Sequence, residues 1–278
     1  MLLRYWPEST KLNFMNLRLG GAILSVLMIT ASIFLLSTRG LNLGVDFAGG
    51  TVMELQQTET LTVESVRAAM PFPAEVNTAV GTDARSIVVV KFGAADPSLL
   101  GEDFATLAPE LQAERAQQLT NEIVASTLKE TLGLADEDFL RDDSVGPKVS
   151  GELFRSGIMG LISALVLMLG YIWFRFEWQF SVGAVAALAH DVIITLGVFS
   201  LLQLEFNLTT IAALLTIIGY SMNDTVVVFD RVREERRKYK KMPDRQVINQ
   251  ALNLTLSRTL LTSGTTLLAL FAIFFLGG

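Results

Sequence analysis

From about Gly157 to the C-terminal Gly278 the sequence is almost continuously apolar, and a second apolar run lies near the N-terminus, from Leu19 to Ser37. Crossing about 30 Å of hydrocarbon at about 1.5 Å per residue takes about 20 apolar residues in a helix. Five stretches meet that length: Leu19–Ser37, Gly157–Phe174, Phe180–Leu202, Leu208–Phe229 and Ser257–Leu276. Between the first two lies a polar, acidic segment of ordinary soluble composition. The chain is 51% hydrophobic and only 18% charged, against about 25% charged in a soluble domain. The expected fold is a polytopic α-helical membrane protein with a small α+β external domain between spans one and two. We divide it into residues 1–37 (N-terminus and first span), 38–152 (external domain) and 153–278 (spans two to five, with a basic connection at 230–246).

Orientation follows from the loops. Arg4, Lys11 and Arg18 precede the first span, and its Ser-Thr-Arg-Gly exit is a poor cleavage site, so it is read as a retained anchor. Arg231, Arg233, Arg236, Arg237, Lys238, Lys240, Lys241 and Arg245 follow the fourth. The positive-inside rule puts both in the cytoplasm, and the two placements agree if all five segments span. The acidic domain is then outside, periplasmic in a cell with two membranes, and the chain is a multi-pass protein of the bacterial inner membrane. A sixth span returning to the cytoplasm is expected beyond Gly278.

In the external domain, Thr51–Gln56 and Ser86–Phe92 alternate or run apolar as strands do. Thr62–Met70 reads as a capped helix, with Thr62 at its start and Glu64 in its first turn. Pro109–Thr131 carries apolar residues at helical spacing, and Pro109 suits a first turn, where no N–H is missed. Its scattered carboxylates read as solvated surface. Two glycine-rich stretches flank the domain: Gly44, Asp46, Gly49 and Gly50 in one, Gly146 and Pro147 in the other. No Walker lysine follows Gly49 and Gly50, so tight backbone geometry is the better reading than a phosphate loop, with Asp46 capping or pairing locally.

Ionisable residues inside spans cost about 2.5–3.5 kcal/mol each on insertion scales and are functional candidates by default. Three stand out: Asp191 after His190 in the third span, Asp224 in the fourth and Arg258 at the start of the fifth. Asp224 and Arg258 are equidistant in sequence from Lys241, so a symmetric hairpin brings them to one depth, where they could pair. Val247–Leu254 reads instead as a separate interfacial helix, which breaks that symmetry. Ser221 and Asn223 accompany Asp224, and Thr262 and Ser263 accompany Arg258, making a polar seam. A carboxylate there can carry a proton: desolvation raises its pKa and a nearby arginine lowers it, so moving the arginine toggles the site. A static ion pair that only fixes packing is the plainer alternative, but Gly and Leu pack more simply. For Asp191 the static and functional readings stand about level. With no cysteine and His190 as the one histidine, no metal site, cofactor or catalytic triad is expected, and the chain is not read as an enzyme.

These motifs together resemble the SecD/SecF family of bacterial protein-export subunits, on the SecF side, within the RND superfamily. The likeness rests on Gly44–Thr51, Ser144–Pro147, His190-Asp191, Gly219–Asp224 with Phe229–Arg231, and Arg258–Gly264. It implies six spans, a heterocomplex with SecD and association with the SecYEG channel, YajC and YidC. It also implies proton-linked roles where Asp224 and Arg258 stand. In that picture the external domain moves with proton flow and draws the emerging preprotein outward. Membrane lipid is the remaining partner, and no nucleic acid is expected. Two other functions compete: half of an RND-type small-molecule efflux transporter, and a non-transporting assembly scaffold. Proton and sodium coupling both fit the residues.

Overall fold

The computed structural model describes residues 10–58, 61–80, 86–100, 108–175 and 177–276. The described residues form two compact units, one within residues 10–42 and 160–276, the other within residues 43–159.

The second unit is built on four strands: β1 (Gly50–Gln56), β2 (Glu75–Val80), β3 (Ser86–Phe92) and β4 (Phe139–Val145). They lie in the order β2-β3-β1-β4 with every neighbouring pair antiparallel. A short helix (Val63–Ala69) connects β1 to β2, and a long one (Pro109–Leu132) connects β3 to β4. This β-α-β-β-α-β chain with a split sheet is the ferredoxin-like arrangement. Alternation decides the core. Met53 and Leu55 of β1 stand opposite Val90 and Val88 of β3, and all four are fully buried. Val66, Val124 and Leu128 of the two helices close over them. Each such side chain contributes about 1.5–3 kcal/mol of transfer free energy.

The short helix starts as its sequence dictates: the Thr62 hydroxyl accepts from the Ser65 amide, and the Ser65 side chain accepts from the Thr62 amide. Pro109 occupies the first turn of the long helix, which ends at Gly133 with φ 68°. β2 and β4 were not legible in the sequence. β4 is an edge strand whose Arg141, Asp142 and Asp143 face water, so it has no apolar alternation to detect.

A one-turn helix, Val45–Ala48, has Gly44 at its N-cap and Asp46 in its first turn, and ends at Gly49 with φ 75° and ψ 160°. Gly50 follows with φ 132°, and a Cβ on it would lie 2.7 Å from the Phe92 carbonyl oxygen. Both conformations are close to glycine-only. Thr51 is fully buried next to them. Its hydroxyl donates to Asn121 Oδ1 at 2.6 Å and accepts from Gln117 Nε2 at 2.8 Å. The glycines thus turn the chain into the sheet, and the threonine ties the sheet to the long helix. At the other flank Gly146 precedes Pro147, which opens the helix that leaves the domain.

Among the described residues, five helices are long and apolar enough to cross a membrane: α1 (Arg18–Thr38), α4 (Pro147–Arg175), α5 (Trp178–Leu202), α6 (Leu208–Lys238) and α7 (Asp244–Leu276), with α2 and α3 denoting the two domain helices. The protein is therefore a multi-pass membrane protein. Three helices exceed the expected apolar spans by nine residues or more. α4 begins ten residues before Gly157, α6 runs nine past Phe229, and α7 absorbs the expected interfacial segment Val247–Leu254 into one continuous 33-residue helix. A separate interfacial helix is not formed, because nothing after Asp244 breaks helical geometry.

In the helical unit α1 packs on α5, α5 on α6 and α6 on α7. The α1–α5 crossing is very close: a Cβ on Gly197 would lie 2.8 Å from the Cα of Ser32. Small residues permit such approach in lipid, where dispersion contacts hold helices together. The segment before α1 is fastened to α7. Asn253 Oδ1 accepts from the Leu12 amide at 2.8 Å, and Asn249 Nδ2 donates to the Leu12 carbonyl at 3.0 Å.

Substituting Gly50→Ala is expected to destabilise the sheet domain by about 1–3 kcal/mol, seen as faster limited proteolysis of the whole protein in membranes. Gly146→Ala, whose new Cβ meets nothing within 4 Å, should digest like wild type. At the helix crossing, Gly197→Leu should lower the steady-state amount and thermal midpoint of the protein, because Ser32 cannot retreat without separating α1 from α5.

Candidate ion-coupling site in the helical bundle

The best-formed polar link inside the bundle joins α5 and α6. Ser221 Oγ donates to Asp191 Oδ2 at 2.5 Å, and His190 Nδ1 lies 2.9 Å from Asp191 Oδ1. The Asp191 side chain is about one-third exposed. Thr195 and Thr225 spend their hydroxyls on backbone carbonyls one turn back, at Asp191 and Ser221. The packing places Ser221 there: Ile218 and Met222 on the same face of α6 are buried against Ala184 and Leu188 of α5 and Ile172 of α4. Ser221, expected to accompany Asp224, instead serves Asp191.

The relation of Asp224 to Arg258 depends on the register of α6 against α7, which two hydrogen bonds fix. Gln250 Nε2 donates to Glu235 Oε2 at 2.8 Å, and Thr266 Oγ1 donates to the Tyr220 hydroxyl at 3.1 Å. The residue numbers of these antiparallel pairs add to 485 and 486. Asp224 is therefore level with Thr262, and Arg258 with Val228. The two charged residues stand about four positions apart, one helical turn or ~6 Å along the axis. The midpoint of the pair falls at Met242 and Pro243, not at Lys241, since α6 continues well beyond its apolar span.

No ion pair joins Asp224 and Arg258 among the described residues. Asp224 is partly buried, whereas Arg258 is exposed on α7. The symmetric pairing that equal spacing from Lys241 suggests is thus not formed. Of the remaining seam, Thr262 hydrogen-bonds the carbonyls of Arg258 and Thr259, Asn223 is exposed and Ser263 is partly exposed.

Several structural partners escaped sequence reasoning. Glu235 is only 1% exposed, held by Gln250 and by Arg231 Nη2 at 3.6 Å. It lies among so many basic residues that nothing singles it out. Tyr220 and Thr266 are each ordinary in a span. Gly197 carries no motif; only the partner helix reveals it.

A multi-pass bundle with one inserted ferredoxin-like domain and ionisable residues within its spans defines a membrane transport or translocation subunit. Comparison with known families agrees. Residues 123–278 match the model for "Protein export membrane protein SecD/SecF, C-terminal", and residues 34–56 match the "SecD/SecF GG Motif". The chain belongs to the SecD/SecF family. It is 42% identical to the protein translocase subunit SecF of Cereibacter sphaeroides over 99% of this chain and 82% of that one. It is 38% identical to the SecF of Haemophilus influenzae over 95% of this chain and 75% of that one. The crystal structure of SecDF from Thermus thermophilus superposes with a TM-score of 0.76 at 34% identity, covering 98% of this chain and 35% of that chain. This chain therefore spans about a third of that relative's length. Its role is in Sec-associated protein export, and its relatives are named as translocase subunits, not enzymes. The glycine-pair motif of the family includes Gly44, Gly49 and Gly50, the residues that shape the entry to β1.

The absence of cysteine from the chain makes the register directly testable. Cysteines at Tyr220 and Thr266 should form a disulfide readily on mild oxidation in membranes, whereas cysteines at Tyr220 and Thr262 should not. The reverse ranking would restore the symmetric hairpin and put Asp224 beside Arg258.

Proposed function

We propose that this chain is one half of a translocation motor driven by the proton motive force, with Asp224 as its proton-carrying group and Arg258 as the charge that toggles it. The observation that carries the reading is the state of the two residues. Asp224 is partly buried in a membrane-spanning helix, Arg258 is exposed on the next helix one turn away, and neither forms an ion pair among the described residues. An approaching guanidinium favours the ionised form of a carboxylate, and its withdrawal favours the protonated form. Movement of Arg258 relative to Asp224 would then bind and release a proton. The driving energy is about 2.3 kcal/mol per charge per 100 mV, enough to bias a two-state packing. Asp191, already hydrogen-bonded to Ser221 and His190, is the secondary candidate, a relay or a packing anchor.

On this reading the basic turn between α6 and α7 faces the cytoplasm, the ferredoxin-like domain lies in the periplasm and the membrane is the bacterial inner membrane. The exposed Arg258 face suits a second subunit, and the name SecDF of the longer Thermus thermophilus relative points to SecD as the partner. Association with the SecYEG channel, with YajC and YidC, and contact of the periplasmic domain with emerging preprotein complete the assembly.

Preprotein translocation into vesicles should be stimulated by a membrane potential with the wild-type protein, and Asp224→Asn should abolish the stimulation while leaving complex assembly intact. Unimpaired stimulation would remove Asp224 from the mechanism. Silent neutral replacement of Asp224 and Arg258 together would favour a scaffold role.

A further inference from the structure

A cavity of about 620 Å³ opens between the segment before α1 and the first three turns of α7, and no carboxylate lines it among the described residues. Lys11 and Arg245 bring positive charge to its wall, and Asn13, Asn16 and Gln246 bring amide groups. The acids nearby are engaged elsewhere: Asp244 pairs with Arg236 Nε at 3.2 Å, and Glu235 accepts from Gln250 at 2.8 Å. The floor is fixed. Asn253 accepts from the Thr10 hydroxyl and the Leu12 amide and donates to the Leu12 carbonyl, while Asn249 accepts from the Met15 amide at 3.4 Å. Above that floor, donors stand unanswered. An arginine carries five N–H donors, and Arg245 engages only those on Nη2, with Asn16 Oδ1 at 2.9 Å and the Met15 carbonyl at 3.4 Å. The side chains of Lys11, Asn13 and Gln246 are exposed and form no hydrogen bond or ion pair among the described residues.

Both walls of the cavity reach the edge of the apolar zone. Asn16 lies three residues before Leu19, where the first apolar run begins, and Leu254 lies three residues before Ser257, where the apolar run of α7 begins. Three residues of helix rise ~5 Å, about the thickness of the headgroup layer on each side of a ~30 Å hydrocarbon core. The segment before α1 also carries Leu12 and Leu17, which are 51% and 71% exposed. Large apolar side chains beside exposed Lys11 and Arg18 are the composition of a segment lying in the membrane interface. An aqueous setting would leave both leucines in water, whereas a bilayer surface buries them and holds the cavity among headgroups.

We propose that this cavity binds the phosphate of one anionic glycerophospholipid from the bordering leaflet. The Lys11 ammonium and the unengaged N–H groups of Arg245 donate to the phosphate oxygens in charge-assisted hydrogen bonds. The amides of Asn13, Asn16 and Gln246 face the rest of the headgroup. A zwitterionic lipid fits less well, because its ammonium brings a third cation beside Lys11 and Arg245. A free phosphate ion has the same chemistry but offers Leu12 and Leu17 nothing to be buried in. Basic residues at the end of a span also follow from topology alone, but that requires neither a cavity nor a fixed floor. The site is independent of ion coupling and would stand if the role of Asp224 failed.

The test titrates the full protein in mild detergent with phosphatidylglycerol or phosphatidylcholine of identical acyl chains and counts bound lipid by native mass spectrometry. Wild type should hold one phosphatidylglycerol in preference to phosphatidylcholine. A basic residue near a membrane surface contributes about fivefold in affinity, so Lys11→Gln with Arg245→Gln should weaken that binding about 25-fold. Lys240→Gln with Lys241→Gln removes the same charge at the turn between α6 and α7 and should leave it unchanged. No loss in the cavity variant, or an equal loss in both variants, overturns the proposal. Inorganic phosphate added at the lipid's own concentration should not displace it; displacement would make the ligand a soluble phosphate and overturn the proposal too. Lys11→Glu disturbs no hydrogen bond of the segment, so its binding decides the matter should Arg245→Gln fail to accumulate: loss supports the site, and wild-type binding overturns it.

Discussion

An ionisable side chain within a membrane span must find a polar partner, water or a proton, because hydrocarbon offers none of these. The helical unit is organised by how it answers that requirement three times. Asp191 is answered within the chain by Ser221 and His190 across the α5–α6 contact. Glu235 is answered by Gln250 and Arg231 where α6 and α7 leave the apolar zone. Asp224 has no ion-pair partner in the chain among the described residues. The satisfied carboxylates hold neighbouring helices in register, and that register sets where the unsatisfied one stands. On the proposed function, Asp224 is then the proton-carrying member of the set.

Close packing supplies the frame. Ser32 against Gly197 brings α1 and α5 nearer than any larger residue would allow, while Asn249 and Asn253 fasten the segment before α1 to α7. The first helix is thus tied to the bundle at two separate levels, by α5 within the span and by α7 at the basic end. Such ties suit a unit that changes conformation as a body, since packed interfaces switch between discrete arrangements more readily than they deform. The ferredoxin-like domain is likewise internally fixed. Gly49 and Gly50 set the entry of β1, and Thr51 joins that entry to the long helix through Asn121 and Gln117.

Much of this architecture was legible in the residues, and the failures share a cause. Span existence follows from apolar length, a property of one segment alone. The strands at Thr51–Gln56 and Ser86–Phe92 were visible because both are central and therefore apolar on one face. β4 was invisible because it is an edge strand with a charged surface, and β2 because its alternation is weak. Span ends were underestimated wherever a helix continued into water with charged residues, as α6 and α7 both do; helical geometry does not end where hydrophobicity does. At the candidate site, composition pointed to Asp224, Arg258 and Asp191, but not to their partners. Ser221, grouped with Asp224 by sequence proximity, bonds Asp191 across the helix contact, and counting from Lys241 left the relative depth of Asp224 and Arg258 open. Both depend on which helix faces meet and at what offset, and no single segment encodes that.

The central claim of the proposed function is that Asp224 is the group that takes up and releases the proton, with Asp191 a relay or a packing anchor. Difference infrared spectroscopy of the assembled complex in lipid tests it directly, by following protonated-carboxyl absorption through a pH titration. The account predicts a titrating carboxyl band that disappears in Asp224→Asn and persists in Asp191→Asn. A band that survives in Asp224→Asn and is lost in Asp191→Asn would contradict it and move the working carboxylate to α5.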